Sequence, residues 1–535
     1  MILEEAAKLC ENTLLPLNQS GDEEGCTFKD GQVVTPKGFK EAYKSFVENG
    51  WQGITVNKKY GGQDLPYFIN VFLDEMISSS NMSFGLYPGL TSNAIAAIEK
   101  NASEEIKNLY LPKLTTGEWS GTMNLTEPHC GTDLGLSKTM AFPQEDSSFN
   151  ITGTKIFITC GEHDMSDNII HLVLAKTPNA PEGIKGISLF IVPKFIPNSD
   201  GSIGEKNSLE CGSIEKKMGI NASPTCVMHY NEAKGWLVGD LHKGMKAMFI
   251  MMNGARLMVG VQGLGIAEIA YQSALYYANE RLQGRSLKGS KFPDKPADPI
   301  IVHPEIRKNL LKIKTLTEGL RGLMVWTGLQ VDIAKLEEDK FKKQKAEDWV
   351  ALLTPILKSF STDLGLEAAN IALQIYGGHG YIKDHGIEQL VRDSRIAPIY
   401  EGTNGIQALD LVGRKMPMHT GRLLKSFFHE VKEYLEKNSF NYNLNEFIPH
   451  LMKSFGRLQQ VTSFLASKGL SDPDEAAGAS VDYLKMFSLV AIGYIWTRYA
   501  EISFNKLFVD PSSLEIKCVN FNPIPWQYSI EPPIS

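Results

Sequence analysis

Apolar residues recur at spacings of three and four from residue 1 to about 120, which predicts a helical domain. The clearest runs are Ala42–Val47, Val71–Ile77 and Ala94–Leu111, with glycine and proline between them. Met1–Leu14 has acidic residues among apolar ones and predicts an amphipathic helix.

The pattern changes near Trp119 to short runs rich in β-branched residues. Asn, Gly and Pro separate these runs, which are Phe149–Gly153, Lys155–Thr159, Ile169–Leu174, Ile187–Val192 and Cys226–Tyr230. Strands at this spacing, without long helical patterns between them, predict a compact β-domain from about 121 to 238.

Helical periodicity returns after the β-domain. Met245–Glu280 predicts one long helix, and a polar connection, Gly284–Pro299, follows it. Further apolar patterns predict helices at Pro304–Leu336, Glu347–Tyr376, Ile387–Val391 and Gly405–Val412. Together with the long helix they predict a helical bundle over residues 239–415. The remaining residues, 416–535, predict a C-terminal helical extension, so the chain as a whole is predicted to be an α+β protein.

Composition narrows the class of protein. The chain has 535 residues, 43% of them hydrophobic and 21% charged, and a net charge of −7, which gives no general attraction to nucleic acid or an anionic membrane. The seven cysteines are scattered without a C-x-x-C pair, which argues against a disulfide framework or a metal site. The apolar run Met486–Thr497 is too short to span a bilayer, and the N-terminus resembles no targeting peptide. We therefore expect a soluble, cytoplasmic protein.

Glu401 is the leading candidate for chemistry. It lies between an apolar run ending at Ile399 and the glycine Gly402. Apolar surroundings raise the pKa of a carboxyl group toward the range in which it acts as a base near neutral pH. The competing interpretation is an N-capping acid for the helix predicted at Gly405–Val412.

Two segments of the β-domain can face a ligand. The loop Met123–Asp133 offers the hydroxyl groups of Thr126 and Thr132, and Gly131 permits close approach of the backbone. Phe157–Thr159 presents an aromatic ring and a hydroxyl group. The alternatives, which patterning alone favours, are a Pro/Gly turn for the loop and a buried strand for Phe157–Thr159.

The long helix carries two candidate anion contacts. Asn253–Arg256 forms a polar patch in which Arg256 can hold a phosphate or carboxylate, and a structural ion pair is the alternative. Arg281, with Gln283, lies at the predicted end of this helix. A basic residue there also interacts favourably with the helix dipole, so that interpretation stays open.

Four motifs taken together resemble the acyl-CoA dehydrogenase family. Thr126–Asp133 matches its T-E-P-x-x-G-[ST]-D loop, and Phe157–Thr159 is similar to its W-I-T strand. Gln374–Gly378 and Tyr400–Thr403 match its two bundle motifs, and the order is right over residues from about 40 to 415. The resemblance implies an N-terminal helical domain, a middle β-barrel-like domain and a C-terminal four-helix bundle.

The resemblance also implies a cofactor, FAD, and assigns site residues. The implied FAD contacts are Met123, Leu125, Thr126, Gly131, Thr132, Phe157, Ile158 and Thr159, and across a dimer interface Arg281, Gln283, Gln374, Tyr376, Gly377, Gly378, Thr403 and Asn404. The implied acyl-CoA contacts are Thr132, Asn253, Arg256 and Gly402.

The activity implied by the resemblance is α,β-dehydrogenation of an acyl-CoA thioester. Glu401 removes the Cα proton while a hydride passes from Cβ to flavin N5, and donors that include the Glu401 N–H stabilise the charge on the carbonyl oxygen. Some members carry the base on the long helix, but the matching residue here is Ala255. Electron-transfer flavoprotein is the implied electron acceptor, and a homodimer or a dimer of dimers is the implied assembly.

A closer resemblance is to the subgroup that includes 3-methylmercaptopropionyl-CoA dehydrogenases, which act in bacterial dimethylsulfoniopropionate breakdown. It rests on Gly161–Asp164, Gly186–Phe195, Ser223–Met228 and the extra C-terminal region. There are two departures. The chain begins within the subgroup's N-terminal region, and Pro304 stands where many relatives have Gln.

Two other functions fit the same fold. An acyl-CoA oxidase would use oxygen as acceptor, which the sequence does not decide. A DNA-binding flavoprotein would need a basic surface in 416–535, where 11 Lys and Arg face 12 Asp and Glu. We therefore expect no nucleic-acid partner.

Overall fold

The computed structural model describes residues 1–509, whose contacts divide the chain into two compact units. The first unit comprises Met1–Gly265 together with Arg392–Thr403, and the second comprises Ile266–Val391 and the chain from Asn404 onward. The segment that contains Glu401 therefore belongs to the same unit as the predicted β-domain.

The N-terminal part of the first unit is mostly helical, as predicted. Its helices are α1 (Ile2–Leu9), α2 (Pro16–Glu24), α3 (Phe39–Glu48), α4 (Tyr67–Ser80), α5 (Met82–Asn101) and α6 (Glu104–Thr116). The prediction missed a hairpin of two short strands, β1 (Thr27–Lys29) and β2 (Gln32–Val34). The apolar run Ala94–Leu111 falls on two helices, because Ser103 caps a new helix by accepting a hydrogen bond from the Ile106 N–H at 3.4 Å.

The middle part of the first unit is a β-domain whose pairings close into a ring. Its strands are β3 (Trp119–Asn124), β4 (Met140–Pro143), β5 (Phe149–Thr159), β6 (Asn168–Lys176), β7 (Ile187–Pro193), β8 (Phe195–Pro197), β9 (Ile203–Lys206), β10 (Leu209–Ile214) and β11 (Thr225–Leu237). The ring follows the order β11, β5, β4, β6, β7 and back to β11, while β3 adds to β6 and β10 to β11. This confirms the barrel-like domain.

Two apolar clusters hold the first unit together. One joins α5 and α6 to the sheet through residues such as Ala94, Leu111 and Trp119. The other fills the ring and includes Val173 and Phe190. Because each strand alternates its side chains between two faces, the same strands supply both clusters.

Strand β5 combines two runs that the sequence separated at Gly153. A Cβ at Gly153 would lie 2.5 Å from the Thr139 hydroxyl oxygen, so glycine is needed there for close approach rather than for a turn. The register of β5 against β11 shifts between Cys226 and Met228, which is a β-bulge in β5 where Ile156 and Phe157 lie opposite the single residue Val227.

The long helix α7 (Gly244–Glu280) begins in the first unit and continues into the second. Among residues 1–509 it is the helix long and apolar enough to cross a membrane by length and composition, but 72% of its most apolar window is buried within the protein. Core helices of globular proteins share these properties. Its first part packs closely on its neighbours, because a Cβ at Gly254 would lie 2.0 Å from the Asn93 side chain.

The second unit is helical throughout the part that the structure describes. Its further helices are α8 (Pro304–Leu336), α9 (Lys340–Tyr376), α10 (Ile387–Ser394, which ends in the first unit), α11 (Asn404–Asp410), α12 (Met418–Lys437), α13 (Ile448–Ser471), α14 (Pro473–Gly478) and α15 (Ser480–Val509). These bounds confirm the predicted bundle helices, with α9 beginning seven residues earlier than predicted.

The C-terminal extension packs against the bundle through two glycines of α8. A Cβ at Gly319 would lie 2.6 Å from the Trp496 ring, and one at Gly322 would lie 2.0 Å from the Tyr499 hydroxyl oxygen. The Trp496 Nε1–H donates to the Thr315 carbonyl at 2.9 Å. Helices α8 and α15 therefore approach each other where side chains are absent.

Candidate active site

The loop after β3 and the end of β5 are joined by hydrogen bonds. The Ile156 N–H donates to the Thr126 carbonyl at 2.9 Å, and the Lys155 ammonium donates to the Leu125 carbonyl at 2.9 Å. The loop itself turns tightly, with main-chain hydrogen bonds in both directions between Glu127 and Cys130. The structure thus brings together the two β-domain motifs that the sequence assigned to one cofactor.

A buried ion pair fixes this junction. The side chains of Lys155 and Glu127 are 0% and 3% exposed, and their charged atoms lie 2.8 Å apart. The Glu127 carboxylate also accepts hydrogen bonds from Ser137, Lys138 and Thr139. Burial alone would raise the pKa of Glu127, but the Lys155 charge and these donors lower it to about 2.

The surface beside this junction suits an aromatic ligand. Phe157 is 59% exposed, so the buried-strand interpretation is wrong for this side chain, although Ile158 is 2% exposed. Phe157 also has a positive φ of 58° on the bulge, an uncommon conformation for a bulky residue and one that recurs at functional sites. An exposed ring held in this way can lie against the face of a flavin.

The loop after β3 and the end of β5 also offer hydroxyl groups and open backbone to a ligand. Within residues 1–509, no side-chain hydrogen bond engages the hydroxyl groups of Thr126, Thr132 or Thr159. A Cβ at Gly131 would meet no atom within 4 Å, and Gly131 and Thr132 are exposed. Met123 and Leu125 are half-buried against the apolar cluster beneath. These donors and this ring fit the edge and face of FAD.

Glu401 lies in an unusual backbone conformation. Its φ is 58° and that of Gly402 is 85°, so two consecutive residues are left-handed. The Arg256 Nε–H donates to the Glu401 carbonyl at 3.4 Å, and Arg256 is 7% exposed. Helix α11 begins at Asn404, so Thr403 rather than Glu401 precedes it, which weighs against the capping interpretation.

The residue before Glu401 is anchored to the long helix. The Tyr400 hydroxyl donates a short hydrogen bond to the side-chain carbonyl of Gln262, which is 1% exposed. Burial, together with the charge of Glu401, raises the pKa of Tyr400. Ala255, the matching position for a base on the helix, is fully buried and carries no acid. The first unit therefore holds the candidate base through the preceding residue, Tyr400, and through the carbonyl of Glu401 itself.

The two predicted polar contacts on α7 differ in environment. Asn253 is exposed, whereas Arg256 is buried and hydrogen-bonded to the main chain of Glu401. An exposed Asn253 is accessible to a substrate. The hydrogen bond from Arg256 to the Glu401 carbonyl serves the backbone that carries the base, a role that the sequence did not predict.

In the second unit, the Gly-Gly motif lies at the end of α9 next to a stack of aromatic rings. A Cβ at Gly377 or Gly378 would meet no atom within 4 Å. Tyr376 stacks on Tyr277 with 4.0 Å between ring centres, and the Tyr277 hydroxyl lies 2.9 Å from His379 Nδ1. The rings hold the backbone of the motif in place while leaving it open.

The remaining predicted contacts of the second unit are exposed. Gln374, Arg281 and Gln283 are exposed, and Arg281 directly follows the last residue of α7, as the helix-dipole interpretation also requires. The main chain of Gln283 is fixed on both sides, by the Asp298 carbonyl at 2.9 Å and by His303 Nε2 at 2.9 Å. Pro304 begins α8, a favourable position for proline.

Asn404 is held by α9. Its side-chain oxygen accepts a hydrogen bond from Lys358, which is fully buried, at 2.9 Å. Its amide donates to Thr362 at 3.0 Å and to Asp363 at 2.8 Å. The side chain that was predicted to contact FAD thus secures the start of α11 within this unit.

The sequence analysis missed several residues that support the site: Gln262, Asp393, Lys155 and Lys358. A signal existed for Lys155, since it shares the inward-facing parity of Ile151 on β5. Gln262 and Lys358 lie at buried positions of long helices. A buried polar residue implies a hydrogen-bond partner, but the sequence does not say which residue that partner is. Among residues 1–509, no three or more His, Cys, Asp or Glu residues form a group that could hold a metal ion.

Family models match nearly the whole chain. The N-terminal, middle and C-terminal domain models of acyl-CoA dehydrogenases match residues 1–118, 122–233 and 242–416. A model described as acetyl-CoA dehydrogenase C-terminal like matches residues 427–516.

Individual relatives agree with these models. The chain is 43% identical to a 3-methylmercaptopropionyl-CoA dehydrogenase of Ruegeria pomeroyi, over 92% of this chain and 83% of the relative. It is 34% identical to a butyryl-CoA dehydrogenase of Syntrophomonas wolfei, over 94% and 83%. In fold, it is similar to an acyl-CoA dehydrogenase from Bacillus anthracis solved with FAD, with a TM-score of 0.76, 24% identity, and coverage of 94% of this chain and 82% of that one.

Proposed function

Because this chain belongs to the acyl-CoA dehydrogenase family, we propose that it oxidises a short acyl-CoA thioester between Cα and Cβ, with Glu401 as the base. The observation that carries the proposal is the fixed backbone of Glu401, left-handed at φ 58° and hydrogen-bonded to Arg256. A base held in one position removes a proton far faster than a mobile one.

The chemistry needs a proton acceptor and a stabilised carbonyl oxygen. A thioester Cα–H is a weak acid, so removal of its proton requires donors to the oxygen that gains negative charge. Glu401 accepts the proton, and its own main-chain N–H is the proposed donor. The buried Arg256 holds the main-chain carbonyl of the same residue, which helps to fix the backbone from which the side chain and the N–H extend.

We propose FAD as the cofactor; when bound, it accepts the hydride that leaves Cβ. In the first unit, Phe157 and the hydroxyl groups of Thr126, Thr132 and Thr159 would hold it. In the second unit, the open backbone of Gly377 and Gly378 suits an approaching phosphate or ribose. The implied dimer would let a partner subunit supply the second set of contacts.

The proposed substrate is 3-(methylthio)propanoyl-CoA, and electron-transfer flavoprotein is the proposed acceptor. The relative from Ruegeria pomeroyi supports this choice of substrate over a longer chain. Anaerobic flavin bleaching over a panel of acyl-CoA thioesters tests it. We expect the fastest bleaching with 3-(methylthio)propanoyl or butanoyl thioesters, and peroxide release during aerobic turnover would favour an oxidase instead.

The assignment of the base is tested by Glu401→Gln. We expect this variant to keep its FAD and to lose flavin reduction by at least about 1,000-fold, because the amide cannot accept the proton. Glu104→Gln, at a residue whose side chain is 63% exposed, is the control and should reduce its flavin normally. Reduction of Glu401→Gln at the wild-type rate would show that another group removes the proton.

A further inference from the structure

The segment that carries Glu401 is attached to one particular loop of the β-domain. This loop, Lys217–Pro224, connects β10 to β11. The Ile220 N–H donates to the Asp393 carboxylate at 2.5 Å, and Asp393 is 2% exposed. Asp393 lies in the last turn of α10, eight residues before Glu401. All of these residues belong to the first unit.

The approach of loop and segment is too close for ordinary residues. A Cβ at Gly219 would lie 2.6 Å from both the Asp393 carboxylate and the Arg392 main-chain carbon. Ile220, a β-branched residue, has a positive φ of 49°. Such a conformation persists only where its surroundings determine it, and it is concentrated at functional sites.

Arg392, which precedes Asp393, also attaches the segment to the loop. The Arg392 guanidinium donates to Asp22 at 2.6 Å and to the Met218 carbonyl at 3.3 Å. Asp22 in turn accepts a hydrogen bond from the Asn221 amide at 2.9 Å. Arg392 and Asp393 of the segment thus hold Met218 and Ile220 of the loop.

The other end of the loop is hydrogen-bonded to the strand that carries Phe157. The Cys160 N–H donates to the Pro224 carbonyl at 2.9 Å, and Thr225 pairs with Thr159. Within the loop, the Ser223 N–H donates to the Ile220 carbonyl at 3.1 Å. A short series of hydrogen bonds therefore runs from Asp393 to the end of β5.

We propose that Asp393 is a positioning residue for the oxidation. By fixing the Glu401 segment to the loop Lys217–Pro224, it sets the distance between the base and β5, the strand that carries Phe157. This inference rests on the proposed function. Asp393 acts through the loop and not on the substrate, so its effect should appear in the rate of proton removal rather than in substrate binding.

Purified holoenzyme variants test this role by stopped-flow flavin reduction. Asp393→Ala should lower the limiting reduction rate about 10- to 100-fold, with FAD content unchanged and KM within about three-fold, because small displacements of reacting groups cost rates of this size. Asp393→Asn keeps an oxygen that can accept the Ile220 N–H, so it should recover at least about one third of the wild-type rate.

Asp164→Ala is the matched control. Asp164 accepts the Thr35 N–H at 3.1 Å and the Thr35 hydroxyl at 2.8 Å, a similar anchor in the same unit that does not involve the base segment. Its limiting rate should equal that of the wild type. Equal losses in Asp164→Ala and Asp393→Ala, or a wild-type rate in Asp393→Ala, would refute the positioning role.

Hydrogen exchange separates this inference from the proposed function. In Asp393→Ala, amides of residues 395–402 and 217–224 should exchange faster, and in Asp164→Ala they should not. If no acyl thioester reduces the wild-type flavin, the proposed function is wrong, and the exchange data still decide whether Asp393 anchors the segment. Unchanged exchange at both segments would overturn the inference.

Discussion

The buried pair of Lys155 and Glu127 gives the most quantitative prediction. Lys155→Met keeps most of the side-chain volume and removes the charge that lies 2.8 Å from the Glu127 carboxylate. Glu127 then remains buried with hydrogen bonds from Ser137, Lys138 and Thr139, and with His129 Nε2 3.5 Å from its carboxylate. We expect strong destabilisation of the β-domain, since a buried charge without its partner is costly.

The magnitude depends on the pKa of Glu127 and on that of its partner. Despite burial, the Lys155 charge and the other donors lower the pKa of Glu127 from 4.5 to about 2, whereas burial lowers the pKa of Lys155 and so offsets part of the gain from the pair. Removal of one partner from a buried ion pair costs about 3 to 5 kcal/mol. Ser137, Lys138 and Thr139 still donate to the carboxylate in the variant. We therefore expect a loss in free energy of unfolding at the lower end of this range, about 3 kcal/mol.

The dependence on pH has a definite sign. Since the folded pKa of Glu127 is lowered, its contribution to stability is present above pH 4.5 and is lost as the pH falls toward 2. Without Lys155, burial raises the pKa of Glu127, so the variant takes up this proton at a higher pH. The difference in free energy of unfolding between wild type and variant should therefore shrink from pH 7 to pH 4.

Urea unfolding followed by circular dichroism at pH 7 and pH 4 measures this difference. Lys234→Met is the control, because Lys234 and Asp146 form a pair in the same domain with 38% and 54% exposed side chains. Exposed pairs contribute at most about 1 kcal/mol. If Lys155→Met were no more destabilised than Lys234→Met at pH 7, the ion pair would not hold the loop to the strand.

Two further substitutions address the cofactor and the base. Phe157→Ala should weaken FAD binding roughly ten-fold in equilibrium dialysis through loss of an aromatic contact, whereas Phe142→Ala, which removes another exposed ring, should not; equal effects would contradict ring stacking. Gln262→Leu leaves the Tyr400 hydroxyl without its acceptor, at a cost of about 1 to 3 kcal/mol, and should slow flavin reduction about ten-fold. Adding Tyr400→Phe should restore most of this rate, and a further loss would show that the hydrogen bond is not the cause.

Periodicity predicted the elements well where one apolar face is buried. The long helices α7 and α8 were predicted because their apolar spacing extends over many residues, and β5, β6, β7 and β11 because their runs are rich in β-branched residues. The hairpin of β1 and β2 was missed because three-residue strands are too short to show alternation. Gly153 was taken as a break because a glycine used for close approach looks the same in sequence as one used for a turn.

The motifs of the candidate site could be predicted from the sequence, but the residues that hold these motifs in place could not. Glu401, Phe157 and the loop at Thr126 lie in short local patterns that the sequence displays directly. Asp393 and Gln262 act through residues more than 100 positions away, Ile220 and Tyr400. No local pattern encodes such pairs.

The glycines Gly319 and Gly322 provide a diagnostic for comparing sequences. Since a methyl group at Gly319 or Gly322 would lie 2.6 Å from the Trp496 ring or 2.0 Å from the Tyr499 hydroxyl, we expect small residues at both positions wherever the aromatic pair packs in this way. A homologue with larger residues at both α8 positions cannot dock a C-terminal helix in this way. The residues at these two positions of α8 therefore predict whether a homologue packs its C-terminal extension in this arrangement.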